Sequence, residues 1–288
     1  MDGLLIVDKP GGMSSHDVVY RVRKIFNEKS VGHLGTLDPL ATGVLPLLLG
    51  RYTRLAQYFG HFEKEYAGTM RFGFATDTYD SEGAVAGDTS VVNLEPSRLE
   101  AEVAKLRGTI QQMPPVYSAK KVNGVPAHRL ARKGQPPQLR AVEIQVERFD
   151  VNIRGGEEAD FCATVSAGGY VRCLAHDLGQ RMGCGAHLTS LRRVRSGTFS
   201  LQNAVTLEAL EQASSPAEFL LPSVQVLAEM PALLVDEATS IRIKNGMQIN
   251  LPEFSTAPLL RILHPGDKIF AIGKRMAGTL FAPQTVLG

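Results

Sequence analysis

The loop Val31-Gly32-His33-Leu34-Gly35-Thr36-Leu37-Asp38-Pro39-Leu40-Ala41-Thr42-Gly43 gathers the groups most able to do chemistry. Asp38 lies between apolar Leu37 and rigid Pro39, a setting that fixes the position of its carboxylate. A fixed carboxylate can act as a nucleophile or as a general base. Gly32, Gly35 and Gly43 permit close backbone approach and positive φ. The same residues also describe an aspartate that opens a turn before a proline. No Gly-Lys-Ser/Thr follows, so this is not a Walker A loop, and the GxGxxG dinucleotide pattern is missing.

The net charge of the 288-residue chain is only +2, so a nucleic-acid footprint has to be local. Basic clusters occur at Lys120-Lys121, at Arg129, Arg132, Lys133 and Arg140, and at Arg192, Arg193 and Arg195. Such clusters also occur as ordinary solvated faces. Cys162, Cys173 and Cys184 are too few and too evenly spread for a disulfide framework, and no CxxC pair offers a zinc site. They read as reduced thiols of a cytoplasmic protein. The short apolar run Leu4 to Val7, preceded by Asp2, is neither a signal peptide nor a membrane span.

The chain length predicts one large domain and one small one. Leu4 to Val7 reads as a buried strand that ends in the turn Asp8-Lys9-Pro10-Gly11-Gly12. Ser14 with Asp17 marks a helix start, and Val18, Val22, Ile25 and Phe26 follow at helical spacing. Ser30 to Gly43 reads as a loop, Val44 to Leu49 as a strand and Arg51 to Phe59 as a helix. Tyr66, Gly68, Met70 and Phe72 alternate with their neighbours as a strand does. Leu99, Val103 and Leu106 mark a further helix, with Pro96 near its start. Pro114 to about Gln138 is long, basic and poor in core residues, as functional or mobile connections are. Val142 to Ile153 reads as one strand with a bulge near Glu147-Arg148. Phe161, Ala163 and Val165 form another strand, and a helix carrying Val171, Leu174, Leu178 and Met182 follows Gly168-Gly169. From Pro231 the pattern becomes short β-runs with turns at Asn245-Gly246 and Pro265-Gly266.

Five segments, in order, resemble the TruB family of pseudouridine synthases. GHLGTLDPLATGVLP is similar to its signature loop, and LLIVDKPGGMSSHDVV resembles its N-terminal motif. KEYAGTMRFGFATDTYDSEG resembles its tyrosine strand and the turn after it, and PPVYSAKKVNGVPAHRLARKG its RNA-gripping loop. SAGGYVRCLAHDLGQRMGCGAHLTSLRRVRSG resembles its arginine motif and the segment beyond.

The resemblance implies an α+β fold: a mixed, mainly antiparallel sheet with flanking helices, and a small C-terminal PUA-like β-domain. It places a catalytic domain at residues 1–230 and the RNA-binding β-domain at 231–288. The implied activity is isomerisation of a tRNA T-loop uridine, at position 55, to pseudouridine without metal or organic cofactor. The protein would work as a monomer on the tRNA T arm, with no membrane and no obligate protein partner. Asp38 corresponds to the catalytic aspartate, which either adds to ribose C1′ or removes a ribose proton. Tyr66 corresponds to the tyrosine that stacks on the detached uracil, and Arg172 to the arginine that orients the aspartate. Tyr170 and Leu191 would wall the uracil pocket. His33 would enter the T loop where the target nucleotide leaves the stack. Lys9 and Pro10 would brace the loop, and Asp77 and Asp80 would serve as supporting or turn residues. Lys120, Lys121, Arg129, Arg132, Lys133, Arg192 and Arg193 become candidates for RNA backbone contacts.

The chain departs from the pattern at Ala167 and Gly169, where lysine and threonine are common in the family, and at Leu34 in the loop. These departures bear on affinity more than on chemistry. A non-catalytic tRNA-binding protein on the same scaffold is the rival reading, and convergence of Asp38, Tyr66 and Arg172 on one pocket discriminates between them. A nucleoside or glycoside hydrolase using Asp38 would instead show a small-molecule pocket without the basic loop.

Overall fold

The computed structural model describes residues 1–135, 137–264, 266 and 268–288, with the backbone alone for His128. Pro265 of the expected turn, and Pro136 of the basic segment, lie outside the described residues. The first part of the chain runs β1 (Gly3–Lys9), α1 (Ser15–Ile25), β2 (Val31–His33), β3 (Thr42–Leu49) and β4 (Lys64–Phe72). It continues with α2 (Pro96–Ala104), β5 (Gly108–Gln112), β6 (Val142–Gly155), β7 (Glu158–Val165), α3 (Val171–Met182), β8 (Ala186–Ser196) and β9 (Val205–Thr206). These strands form one sheet in the order β9-β1-β3-β8-β4-β7-β6-β5, with β2 pairing at the edge of β3 and Phe199–Ser200 pairing with β8. The pairs β1–β9 and β3–β8 are parallel and the other contacts are antiparallel, which is the mixed, mainly antiparallel sheet expected of an α+β fold.

Leu4 to Val7 is apolar at every position because both faces of β1 are covered. Leu5 and Val7 point to a core shared with α1, α2 and α3, and Leu4 and Ile6 to a second core on the opposite face. Helix α1 starts where Ser14 and Asp17 cap each other reciprocally. Helix α3 stops at Gly183, whose φ of 77° suits glycine. The bulge in β6 falls between Val146 and Arg148.

The second sheet comprises β10 (Ala232–Leu234), β11 (Ile249–Asn250), β12 (Leu259–His264), β13 (Lys268–Ala277) and β14 (Leu280–Val286), in the order β10-β12-β13-β14-β11. It has a small core of its own, and Leu263, Ile269, Ile272 and Leu287 also pack into the second core of the large sheet.

Three local expectations need correction. Residues 31–33 are a strand rather than loop, because Val31 and His33 align with Leu49 and Leu47 of β3. Residues 237–244 are a helix rather than a β-run. Asp236 caps it through Thr239 N–H, with Glu237 in the first turn and Arg242 and Lys244 in the last. Asn245-Gly246 therefore ends a helix. The Pro114–Gln138 segment holds a small hairpin, Lys121–Val122 with Val125–Pro126, and the short helix Ala127–Ala131. Its root is buried at Pro114, Pro115 and Ser118, while Lys121, Arg129, Arg132 and Lys133 are exposed.

Gly43 joins β3 to β8 at the middle of the sheet. Its φ is 101°, and a Cβ there would stand 2.2 Å from the Arg193 carbonyl oxygen. Gly43→Ala therefore combines backbone strain with a backbone clash. It should destabilise the protein by ~2–4 kcal/mol, read as a lower urea midpoint at unchanged slope. A midpoint equal to that of the wild type would show that the strands can separate at this joint without loss.

Candidate active site

The loop after β2 carries Asp38 to the floor of a cleft of about 770 Å³. Ser15 of α1 holds the loop from behind: its hydroxyl donates to Leu37 O at 3.0 Å and accepts from Leu37 N–H at 2.8 Å. Leu37 is buried, which turns the next side chain outward. Asp38 keeps 32 % of its side chain accessible, open on the cleft side.

Lys9 is fully buried at the end of β1. Its ammonium donates to Pro10 O at 2.7 Å, to Met13 O and to Pro39 O at 3.3 Å, tying the first turn to the residue after Asp38. Burial pushes Lys9 down to about 8, opposed by the charge of Asp38.

Arg172 lies in the first turn of α3 and is buried. Its guanidinium faces acceptors on every side. Nη2 donates to Asp38 Oδ1 at 2.9 Å and to Tyr117 O at 3.0 Å. Nη1 donates to Thr78 O at 2.7 Å and lies 3.3 Å from Asp80 Oδ2. Nε stands 2.9 Å from Asp38 Oδ2, an ion-pair approach without hydrogen-bond alignment. One side chain thus binds the Asp38 loop, the turn after β4 and the root of the basic segment.

Two supports for Arg172 escaped the sequence reading. Gln112, fully buried at the end of β5, accepts from Tyr170 N–H at 2.8 Å and donates to Tyr170 O at 3.0 Å, which fixes the start of α3. A lone glutamine in a strand carries no sequence signal of this role. Tyr79 adopts φ 66°, unusual for a residue with a side chain, and stacks on His176 with ring centroids 3.9 Å apart. That turn aims Thr78 O and Asp80 at Arg172. Asp80 is 2 % exposed and also accepts from Thr78 Oγ1 at 2.6 Å and Glu82 N–H at 3.1 Å. Asp77, by contrast, is exposed and accepts from Ala84 N–H at 2.9 Å within the turn.

Asp38, Tyr66, Arg172, Tyr170, Leu191 and His33 all line the same cleft. Tyr66 and Leu191 come from the adjacent strands β4 and β8, and each is 7 % exposed. His33 closes β2, and burial, with the nearby Arg193, lowers its basicity so that the ring is neutral. Lys120 also reaches the cleft. The expected surface cluster on β8 does not form, because alternation sends Arg192 and Arg193 to opposite faces and a bulge separates Arg193 from Arg195. Arg193 is fully buried, Arg192 pairs with Asp8 at 2.7 Å, and Arg195 pairs with Glu63 and Glu65 at 2.6 and 3.1 Å.

Burial raises the Asp38 carboxyl above its ordinary value, as does the neighbouring Asp80, against the pull of Arg172 and Lys9. The site is a carboxylate that holds its proton more tightly than usual, beneath a cleft with aromatic and aliphatic walls.

The structure superposes on a chain of the archaeal box H/ACA sRNP Nop10–Cbf5 complex with TM-score 0.72 and 24 % identity, covering 99 % of this chain and 86 % of that one. Residues 23–171 match the TruB family pseudouridylate synthase N-terminal domain, and residues 172–227 the tRNA pseudouridylate synthase B C-terminal domain. The chain belongs to the TruB family of pseudouridine synthases, which are isomerases. Two relatives named tRNA pseudouridine synthase B align over 100 % of both chains: one from Solibacter usitatus, 42 % identical, and one from Aquifex aeolicus, 38 % identical.

Arg172→Lys keeps a charge but cannot meet this set of acceptors at once. Turnover should fall about 100-fold, the scale of a misplaced reactive group, and Arg172→Lys should bind RNA nearly as well as wild type. If Asp38 acts as a carboxylate, the rate declines as pH falls through its raised folded value. A weaker pull from position 172 should move this acid limb to still higher pH. Single-turnover rates across pH measure both effects, and an unmoved limb with near-normal turnover would remove Arg172 from the control of Asp38.

Proposed function

We propose that this enzyme converts a uridine in the T loop of tRNA, at position 55, to pseudouridine, with Asp38 as the essential carboxylate. The observation that carries this reading is the convergence of Asp38, Tyr66 and Arg172 on one cleft beside an exposed basic segment. The reaction breaks the ribose C1′–N1 bond and joins C1′ to C5 of the same uracil. Asp38 attacks C1′, or removes a ribose proton, and both routes need it ionised and held still. Arg172 supplies that orientation and Lys9 steadies the loop from below. Tyr66, Tyr170 and Leu191 keep the detached uracil in place while it turns. Tyr66 also offers a hydroxyl for proton removal from C5. Nothing in this sequence of steps transfers electrons or a group to another molecule.

A T-loop uridine is stacked, so it must leave the stack to reach Asp38. His33, a neutral planar ring at the cleft mouth, suits the space left behind. Lys120, Lys121, Arg129, Arg132 and Lys133 suit phosphates of the arm, and the 231–288 β-domain, with Lys274 and Arg275 exposed, suits the acceptor stem as a PUA-like module.

Mapping pseudouridine in tRNA after incubation with pure protein tests the activity directly. Asp38→Asn should give no detectable product while binding tRNA within a few-fold of wild type. The variant should fold, because Asp80 still neutralises Arg172. Substantial turnover would exclude Asp38 as nucleophile or base. His33→Ala should slow conversion of a folded T-arm stem-loop more than that of its linearised strand, which has less stacking to lose. Equal proportional losses in single-turnover rate would assign His33 to the chemistry or the fold.

A further inference from the structure

Lys64 and Arg193 are two cleft-lining cations that meet beside Gly35. Arg172 faces Asp38 and Asp80, Arg192 faces Asp8, and Arg195 faces Glu63 and Glu65. Among the described residues, no carboxylate pairs with Lys64 or Arg193. The Lys64 ammonium donates to Phe62 O at 2.6 Å. Arg193 Nε donates to Val44 O at 2.7 Å, and Nη2 to Gly35 O at 3.1 Å. Carbonyl oxygens carry partial charge only, so two cations share this end of the cleft without a full counter-charge.

The effect reaches their neighbours. The charge of Arg193 acts against protonation of Lys9, His33 and Lys64. Burial is the larger cause for Lys64, and together they hold it down to about 8. An unpaired buried charge is unfavourable, and an anion brought in from outside relieves it.

The two cations meet where Gly35 lines the cleft. Gly35 has φ 128°, and its absent side chain opens onto both cations. A Cβ there would lie 3.5 Å from Lys64 Cε and 3.6 Å from Arg193 Nη1. Gly35, Lys64, Arg193 and Asp38 line one cleft, so an anion held here stays next to the reacting sugar.

We propose that Lys64, with Arg193 buried behind it under Gly35, forms a phosphate subsite that takes one backbone phosphate of the RNA beside the nucleotide presented to Asp38. The proposal rests on the RNA-modifying reading above and deepens it. RNA carries a phosphate on each side of every nucleotide, so a uridine entering the cleft brings one with it. Lysine is a flexible point charge, suited to grip a phosphate without demanding a planar geometry. Lys64 is thus a positioning residue: it holds the sugar-phosphate while Asp38 acts on C1′.

The test uses T-arm stem-loops in which a single uncharged methylphosphonate replaces successive linkages around the target uridine. Single-turnover conversion and half-saturation are measured for wild type, Lys64→Gln and Lys64→Arg. Lys64→Gln should weaken half-saturation about tenfold, the scale of one charge-assisted hydrogen bond, and reduce the salt slope of binding by about one. Lys64→Arg should recover most of the affinity. At one linkage next to the target, the neutral substitution should cost wild type as much as Lys64→Gln does and cost Lys64→Gln nothing more. Penalties that multiply at every linkage, or an unchanged salt slope, overturn the proposal. Should Lys64→Gln fail to fold, wild type alone decides: equal costs at adjacent and remote linkages overturn the subsite. Absence of conversion of natural RNA by wild type would refute the RNA-modifying reading instead.

Discussion

The guanidinium of Arg172 is the joint on which the site depends. It draws together Asp38 from the loop after β2, Thr78 and Asp80 from the turn after β4, and Tyr117 from the basic segment. These pieces are far apart in sequence. Breaking a buried ion pair by removing one partner costs about 3–5 kcal/mol, because the other charge is left without water or counter-ion. The arrangement therefore closes only when every piece is present. That property gives the Asp38 carboxylate a single position.

Two carboxylates share this arginine and differ in exposure. Asp80 is sealed away and bonded to its own turn, so it acts as a fixed counter-charge. Asp38 is open on the cleft side, and its carboxylate is held by Arg172. The difference in environment leaves one carboxylate sealed and the other accessible from the cleft, although the residue type is the same. Lys9 completes the pattern from below through three backbone carbonyls, so its charge favours the Asp38 carboxylate while its bonds restrain the backbone.

The helices and long strands were legible because their signals are local or periodic. Ser14 and Asp17 announce α1, alternation marks β4 and β7, and the change of phase in β6 reveals its bulge. The helix at 237–244 is signalled by Asp236, Thr239 and its charged ends alone, because only Ser240 and Ile243 are buried and no apolar stripe of helical period runs along it. The strand at 31–33 carried no periodic signal; three residues become a strand only when β3 lies beside them. Arg192 and Arg193 looked alike as neighbours in a basic run. Strand geometry sends one to Asp8 and buries the other, a distinction that depends on which face the sheet covers.

For the site, the sequence by itself determined which groups are present and much of their identity. Asp38 lies before a proline in a glycine-punctuated loop, and Tyr66, Tyr170, Arg172 and Leu191 lie in segments with recognisable spacing. Only the tertiary structure decided who meets whom. Gln112 reaches Tyr170 across 58 positions, and Arg172 reaches Asp38 across 134. Neither contact has a period, a cap or a turn to advertise it, since side-chain partners so distant are selected by packing of the sheet and helices. The raised Asp38 carboxyl and the uncompensated charge of Lys64 and Arg193 belong to the same class. Burial and counter-charge are properties of the folded surroundings, and a residue's type does not contain them.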